Sequence, residues 1–168
     1  MKNNSVNKKI VIAAIAALVV VAAAFMLKGK GSENENANAN AGSVQVAKDS
    51  DIIIPISTIT DTVSFYPAEM NGTKLEVLAV KASDGTIRTA FNTCQVCYSS
   101  GRGYYVQEGD VLVCQNCGNH FAMDEVEITK GGCNPWPIFE AYKTVDTENI
   151  TISKAYLTEA TVIFQNWK

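Results

Sequence analysis

Five cysteines lie between residues 94 and 133 of a 168-residue chain, and four of them form two CxxC pairs, Cys94-Gln-Val-Cys97 and Cys114-Gln-Asn-Cys117, separated by sixteen residues. Two cysteines three apart on a tight loop direct both sulfurs at one ion or cluster edge, and a β-hairpin between the pairs brings the second loop opposite the first. This pattern marks Cys94, Cys97, Cys114 and Cys117 as candidate ligands of one metal or cluster. Two disulfides would leave a thiol over and would not require paired CxxC loops. Zinc ribbons use this spacing, iron-sulfur clusters take the same four sulfurs, and Cu(I) accepts so soft a donor set. Spacing therefore indicates a metal-thiolate site without choosing the metal.

Cys133, in Gly131-Gly132-Cys133-Asn134-Pro135-Trp136-Pro137, is the fifth. The glycine pair lets backbone approach closely and the prolines stiffen the loop, so this segment is expected to press against the site. Cys133 is then a further ligand, a replacement for one of the four, or a neighbouring thiol that tunes the site; with four sulfurs already supplied, the tuning role is favoured. The sole histidine, His120, reads better as a hydrogen-bonding residue than as a ligand, and Met123 as a core filler. Tyr104, Tyr105, Phe121 and Trp136 are expected to shield the sulfurs, and Arg102 and Lys130 are the cations of the ligand region.

One histidine and no glycine-rich phosphate loop leave hydrolase and nucleotide-binding readings without support. The expectation is a non-enzymatic electron-transfer or metal-binding protein. Residues 1–30 hold five lysines and no acid, and the remainder has 9 basic against 17 acidic residues, a net −8. That acidic remainder argues against a nucleic-acid partner, which needs clustered Lys and Arg.

The elements that carry the site follow from patterning. Ile10 to Leu27 is an unbroken apolar run between Lys8-Lys9 and Lys28. As a helix it rises about 27 Å, close to the roughly 30 Å of a bilayer core, so residues 1–28 are read as an uncleaved membrane anchor, with a cleaved secretion signal as the rival. The small excess of positive charge before the run sets the N-terminus inside and the rest outside. Residues 29–47, small and polar, form a tether, and residues 48–168 an extracytoplasmic domain. Within it, Ile52–Ser57, Thr62–Tyr66, Lys74–Val80, Ile87–Phe91, Tyr104–Gln107, Val111–Val113 and Ile150–Ser153 read as short strands, those around Asn71-Gly72 and Asp84-Gly85 in antiparallel order. Ala155–Gln165 reads as a short helix capped by Ser153.

Two resemblances sharpen this. Cys114-Gln-Asn-Cys117-Gly118-Asn-His120-Phe121 resembles the second ligand loop of Rieske proteins with cysteine in place of histidine, and Gly131 to Pro137 falls where those proteins place a proline-containing third loop. Neither histidine ligand position is filled, so Rieske ligation itself is excluded. Over Asp51 to Phe164, the stretch Ser83 to Phe91, both CxxC pairs, Gly103-Tyr104, Glu108-Gly109-Asp110 and Gly132-Cys133-Asn134-Pro135 together resemble the FtrD-like membrane iron-sulfur protein family. That resemblance implies an iron-sulfur cluster at the cell membrane, associated with iron transport and redox systems, with a permease or redox protein as partner; zinc and copper are the alternatives. The expected fold is mainly β: a small antiparallel domain with Rieske-like or zinc-ribbon-like loops on a single N-terminal transmembrane helix.

Overall fold

The computed structural model describes residues 45–168, so the apolar run Ile10–Leu27 and most of the tether lie outside the described residues. Among the described residues no helix is long and apolar enough to cross a membrane. Chain order is β1 (Ala47–Lys48), β2 (Ile52–Pro55), β3 (Ser64–Met70), β4 (Thr73–Lys81), β5 (Ile87–Cys94), β6 (Tyr105–Glu108), β7 (Val111–Cys114), β8 (His120–Ala122), β9 (Pro135–Pro137), β10 (Thr144–Val145), β11 (Asn149–Ile152) and α1 (Lys154–Ala160), with short 3-10 turns between. The fold is mainly β, in three small sheets ordered β1-β3-β4-β5-β9, β10-β11-β2 and β6-β7-β8.

Turn chemistry sets the central sheet. Asn71 and Gly72 both adopt positive φ, at 50° and 82°, the two-residue turn whose twist matches that of flanking strands. It places Met70 opposite Thr73 and Tyr66 opposite Val77. The next turn returns β5 antiparallel to β4, with Val77 opposite Phe91. β1 adds in parallel beside β3, an arrangement that two residues of pattern cannot reveal.

β4 divides the interior in two. Leu75, Val77 and Ala79 enter a core with Ile52, Ile54, Ile150, Ile152, Leu157 and Phe164, whereas Leu78 and Val80 enter a second core with Cys94, Cys97, Tyr105, Leu112, Cys114 and Phe121. A strand covered on both faces loses its polar alternation, and Val77 to Val80 is accordingly all apolar. In the first core Phe91 meets the rings of Tyr156 and Phe164 at 5.5 and 5.7 Å. The second core holds the cysteines.

Several boundaries differ from the sequence expectation for local reasons. β5 runs three residues further, through buried Asn92 and Thr93 to Cys94, because the Asn92 side chain is satisfied there: its Oδ1 accepts from Tyr105 N–H at 2.7 Å and its Nδ2 donates to Glu76 at 2.6 Å. Pro135–Pro137 forms the edge strand β9, a position that does not require proline to donate, so the expected third loop ends as part of the sheet. The helix α1 begins at Lys154, its Ser153 cap accepting from Tyr156 N–H, and tightens to 3-10 at Thr161–Ile163, where β-branched residues follow one another.

Candidate metal centre

Each CxxC pair begins at a strand end. Cys94 closes β5 and Cys114 closes β7, and in each case the chain turns sharply so that the second cysteine follows within one loop. In the first loop Cys97 N–H donates to Cys94 Sγ at 3.3 Å, and Cys97 C=O accepts from Ser100 N–H and from Ser100 Oγ at 2.7 Å. In the second, Gly118 N–H donates to Cys114 C=O at 2.8 Å, and Gly118 supplies the φ of 71° that reverses the chain after Cys117. The β6–β7 hairpin between the loops places Tyr105 opposite Cys114. Cys94 N–H donates to Gly103 C=O at 2.6 Å, and Gln115 N–H to Tyr104 C=O at 2.8 Å, joining both loops to the start of that hairpin.

The sulfurs converge. Sγ atoms of Cys94, Cys97 and Cys114 lie within 4.8 Å of one another, and those of Cys97, Cys117 and Cys133 do likewise, so Cys97 belongs to both groups. Cys94, Cys97 and Cys114 are buried, Cys133 is half-buried and Cys117 is exposed. All five are thiols. Thus the chain brings together the four cysteines of the CxxC pairs and adds Cys133 beside the exposed corner.

Cys133 is held there by its backbone. Its carbonyl accepts from the Tyr105 hydroxyl at 2.7 Å and from Asn119 Nδ2 at 3.0 Å. Gln95, the second residue of the first CxxC, fastens the same segment: its N–H donates to Asn134 C=O, its Nε2 to Pro135 C=O, and its Oε1 accepts from Gly131 N–H. Nearby, a half-buried ion pair, Lys143 to Glu127 at 2.6 Å, is completed by Thr89 N–H donating to the same carboxylate at 2.8 Å. The supporting roles of Gln95, Asn119 and Glu127 had no sequence signal beyond position near the cysteines.

Electrostatics separate the five thiols. Burial opposes ionisation of Cys94, but the Tyr105 hydroxyl beside it and the N–H groups of Cys97 and Val96 together hold its thiol below the ordinary cysteine value. Burial pushes Cys97 up, and pushes Cys114 up to about 12 against the N–H groups of Cys117 and Asn116. Asn119 N–H and neighbouring thiols lower Cys117. Its neighbour Cys133 is raised to about 12, first by the Cys117 thiol beside it and then by burial. Burial, followed by contact with Cys94, keeps the Tyr105 hydroxyl protonated and therefore a donor.

Other expected site residues divide. Tyr105 and Phe121 line the cysteine core with Leu112 and Val126, and Met123 packs at its edge. Trp136 instead packs on the opposite core and against Tyr98, because β9 turns its side chain to the other face. Tyr104 stands under the Lys168 ammonium at 4.8 Å. Arg102 donates to Gln115 C=O at 3.2 Å, linking the two loops through backbone, and Lys130 is exposed. His120 is exposed on β8 and joins neither sulfur group.

The family model for the membrane iron-sulfur containing protein FtrD-like matches residues 59–164, more than half of the chain and all five cysteines. The chain belongs to that family. No curated protein and no solved structure matches it. The donor set fits the family's description: five thiols without carboxylate or imidazole, N–H groups directed at sulfur, and an apolar shell on the buried side form a site for a soft metal or an iron-sulfur cluster.

Proposed function

We propose that this protein is a membrane-anchored, extracytoplasmic iron-sulfur protein in which Cys94, Cys97, Cys114 and Cys117 hold the centre, and that it passes single electrons in support of iron or other metal transport. The observation that carries the reading is the convergence of two CxxC loops on one thiol cluster in a member of an iron-sulfur family. When bound, an iron-sulfur cluster supplies a one-electron couple. The chain's own groups fix its surroundings: Tyr105, Leu112 and Phe121 exclude water from the buried side, and the N–H groups of Cys97 and Asn119 favour the anionic form of sulfur. Exposed Cys117 gives the centre one edge toward solvent, which a redox protein or permease partner can approach.

The apolar run 10–27 supports a single-pass anchor, and the small excess of positive charge before it, Lys2, Lys8 and Lys9 against Lys28 and Lys30, supports placing residues 48–168 outside the cytoplasm. Protease added to intact cells then releases a fragment beginning between residues 29 and 46; protection until the membrane is permeabilised contradicts that side. A structural zinc site is the second reading, favoured by the compactness of the sulfur groups, since tetrahedral zinc at about 2.3 Å from each thiolate brings sulfurs within roughly 3.8 Å of one another. Visible absorption decides: an anaerobically purified chain that is coloured and bleaches on reduction supports the iron-sulfur reading, and a colourless zinc-containing chain refutes it.

A further inference from the structure

Five sulfurs converge where four ligands suffice, and they are not equivalent. Cys94, Cys97 and Cys114 form a mutually close, buried group, two of them at strand ends within the sheets. Cys117 and Cys133 sit together at the open side, their sulfurs within 4.8 Å of each other and of Cys97 Sγ. The outer pair also has room to move. Gly118 follows Cys117 and Gly131-Gly132 precede Cys133, all three at positive φ and with nothing within 4 Å of where a Cβ would stand. By contrast a Cβ at Gly103, behind the first loop, would stand 2.5 Å from Cys97 O.

We propose that Cys117 and Cys133 are interchangeable occupants of the fourth coordination position, the other three being Cys94, Cys97 and Cys114. This rests on the metal-thiolate reading above. Exchange balances without an oxidant: the incoming Cys133 sulfur gives up its proton and forms a metal-sulfur bond, the outgoing Cys117 sulfur releases its bond and takes a proton, and the charge of the centre is unchanged. The two sulfurs lie within 4.8 Å of each other and Cys117 is exposed, so solvent carries that proton. The buried three keep the metal in place while the exposed corner changes hands. The loop that carries Cys133 is anchored through its carbonyl by Tyr105 and Asn119, which leaves the side chain itself free to turn toward or away from the centre.

The test uses the full chain loaded anaerobically with ferrous iron and sulfide. A brief pulse of a maleimide labels free thiols, the centre is then dismantled, and the remaining thiols take an isotopically heavy form of the reagent before peptide mass spectrometry. A single light label per chain, divided between Cys117 and Cys133 and absent from Cys94, Cys97 and Cys114, is the expected result. Light label confined to Cys133 alone or Cys117 alone, or absent altogether, overturns the exchange. In parallel, the double variant Cys117→Ser/Cys133→Ser loses more than half of the iron that either single variant binds. Iron lost from Cys117→Ser alone, or retained in the double variant, also overturns it. Cys114→Ser separates the two levels: iron retained there defeats the metal-thiolate reading itself, whereas iron lost there and in Cys117→Ser defeats only the exchange. Protease resistance of each variant without metal shows that iron loss reflects missing ligands and not a failure to fold.

Discussion

Gly103→Ala tests how tightly the first ligand loop is wedged against the hairpin. A Cβ at residue 103 would stand 2.5 Å from Cys97 O, 2.6 Å from Cys97 C and 2.9 Å from Tyr98 N, all of them backbone atoms. Ordinary contact begins at about 3.4 Å, so the Cys97 peptide must retreat by about 0.9 Å or the hairpin must do so. Neither moves freely, because Gly103 C=O also accepts from Cys94 N–H at 2.6 Å and thereby ties both cysteines of the pair to the same residue. Overpacking of this kind costs about 1–3 kcal/mol, and a displacement of that size in the Cys97 sulfur lowers metal affinity by about 10- to 100-fold, as loss of a supporting contact does at other metal sites. Urea unfolding of the metal-free chain and competition with a chelator for Co(II) measure the two effects. Gly72→Ala is the control: nothing lies within 4 Å of its Cβ position, so it pays only the backbone cost of φ +82°, about 1 kcal/mol, and leaves Co(II) affinity unchanged. Parent-like stability and affinity in Gly103→Ala would refute the wedge.

Four further outcomes follow from the same geometry. The Cys114 and Cys133 thiols, each raised to about 12, are protonated at neutral pH without metal, so Co(II) loading releases protons into weak buffer and tightens as pH rises; affinity independent of pH from about 6 to about 8 would contradict this. The raised Cys114 value also has a stability consequence: the metal-free fold loses stability as pH climbs from 9.0 toward about 12, because over that window the unfolded chain sheds the proton that the fold retains. Asn92→Leu strips the Tyr105 N–H and the Glu76 carboxylate of a buried partner and should cost about 2–3 kcal/mol in urea unfolding, whereas a change below about 0.5 kcal/mol would show the bridge to be unimportant. Lys143→Met leaves the Glu127 carboxylate without its cation and should cost about 1–3 kcal/mol, partly recovered on adding Glu127→Gln; equal losses in single and double variants would reject the pair.

Turn dipeptides and strand alternation carried the central meander in plain view, since Asn71-Gly72 and Asp84-Gly85 fix their own backbone and Leu75, Val77 and Ala79 share a face. The CxxC loops were legible for the same reason: ligand spacing is local. What sequence did not disclose depends on contacts distant along the chain. The pairing of β9 with β5 joins residues about forty apart, and Trp136 faces away from the sulfurs because of that register, which no local pattern encodes. The three-residue extension of β5 through Asn92 and Thr93 depends on Glu76 and Tyr105 satisfying a buried amide, so a polar pair reads locally as a strand end. Cys133 was visible as a candidate, but its place beside Cys117 is set by Gln95, Asn119 and Tyr105 acting from three separate segments.

The central claim, an iron-sulfur centre on the converging CxxC loops, is tested most directly by counting iron and acid-labile sulfide per chain after anaerobic purification, in the parent and in Cys114→Ser. Iron and sulfide in comparable amounts are expected in the parent and neither in Cys114→Ser, whose serine removes a fully buried thiol from the inner group. Zinc without sulfide in the parent, or undiminished iron and sulfide in Cys114→Ser, would contradict it.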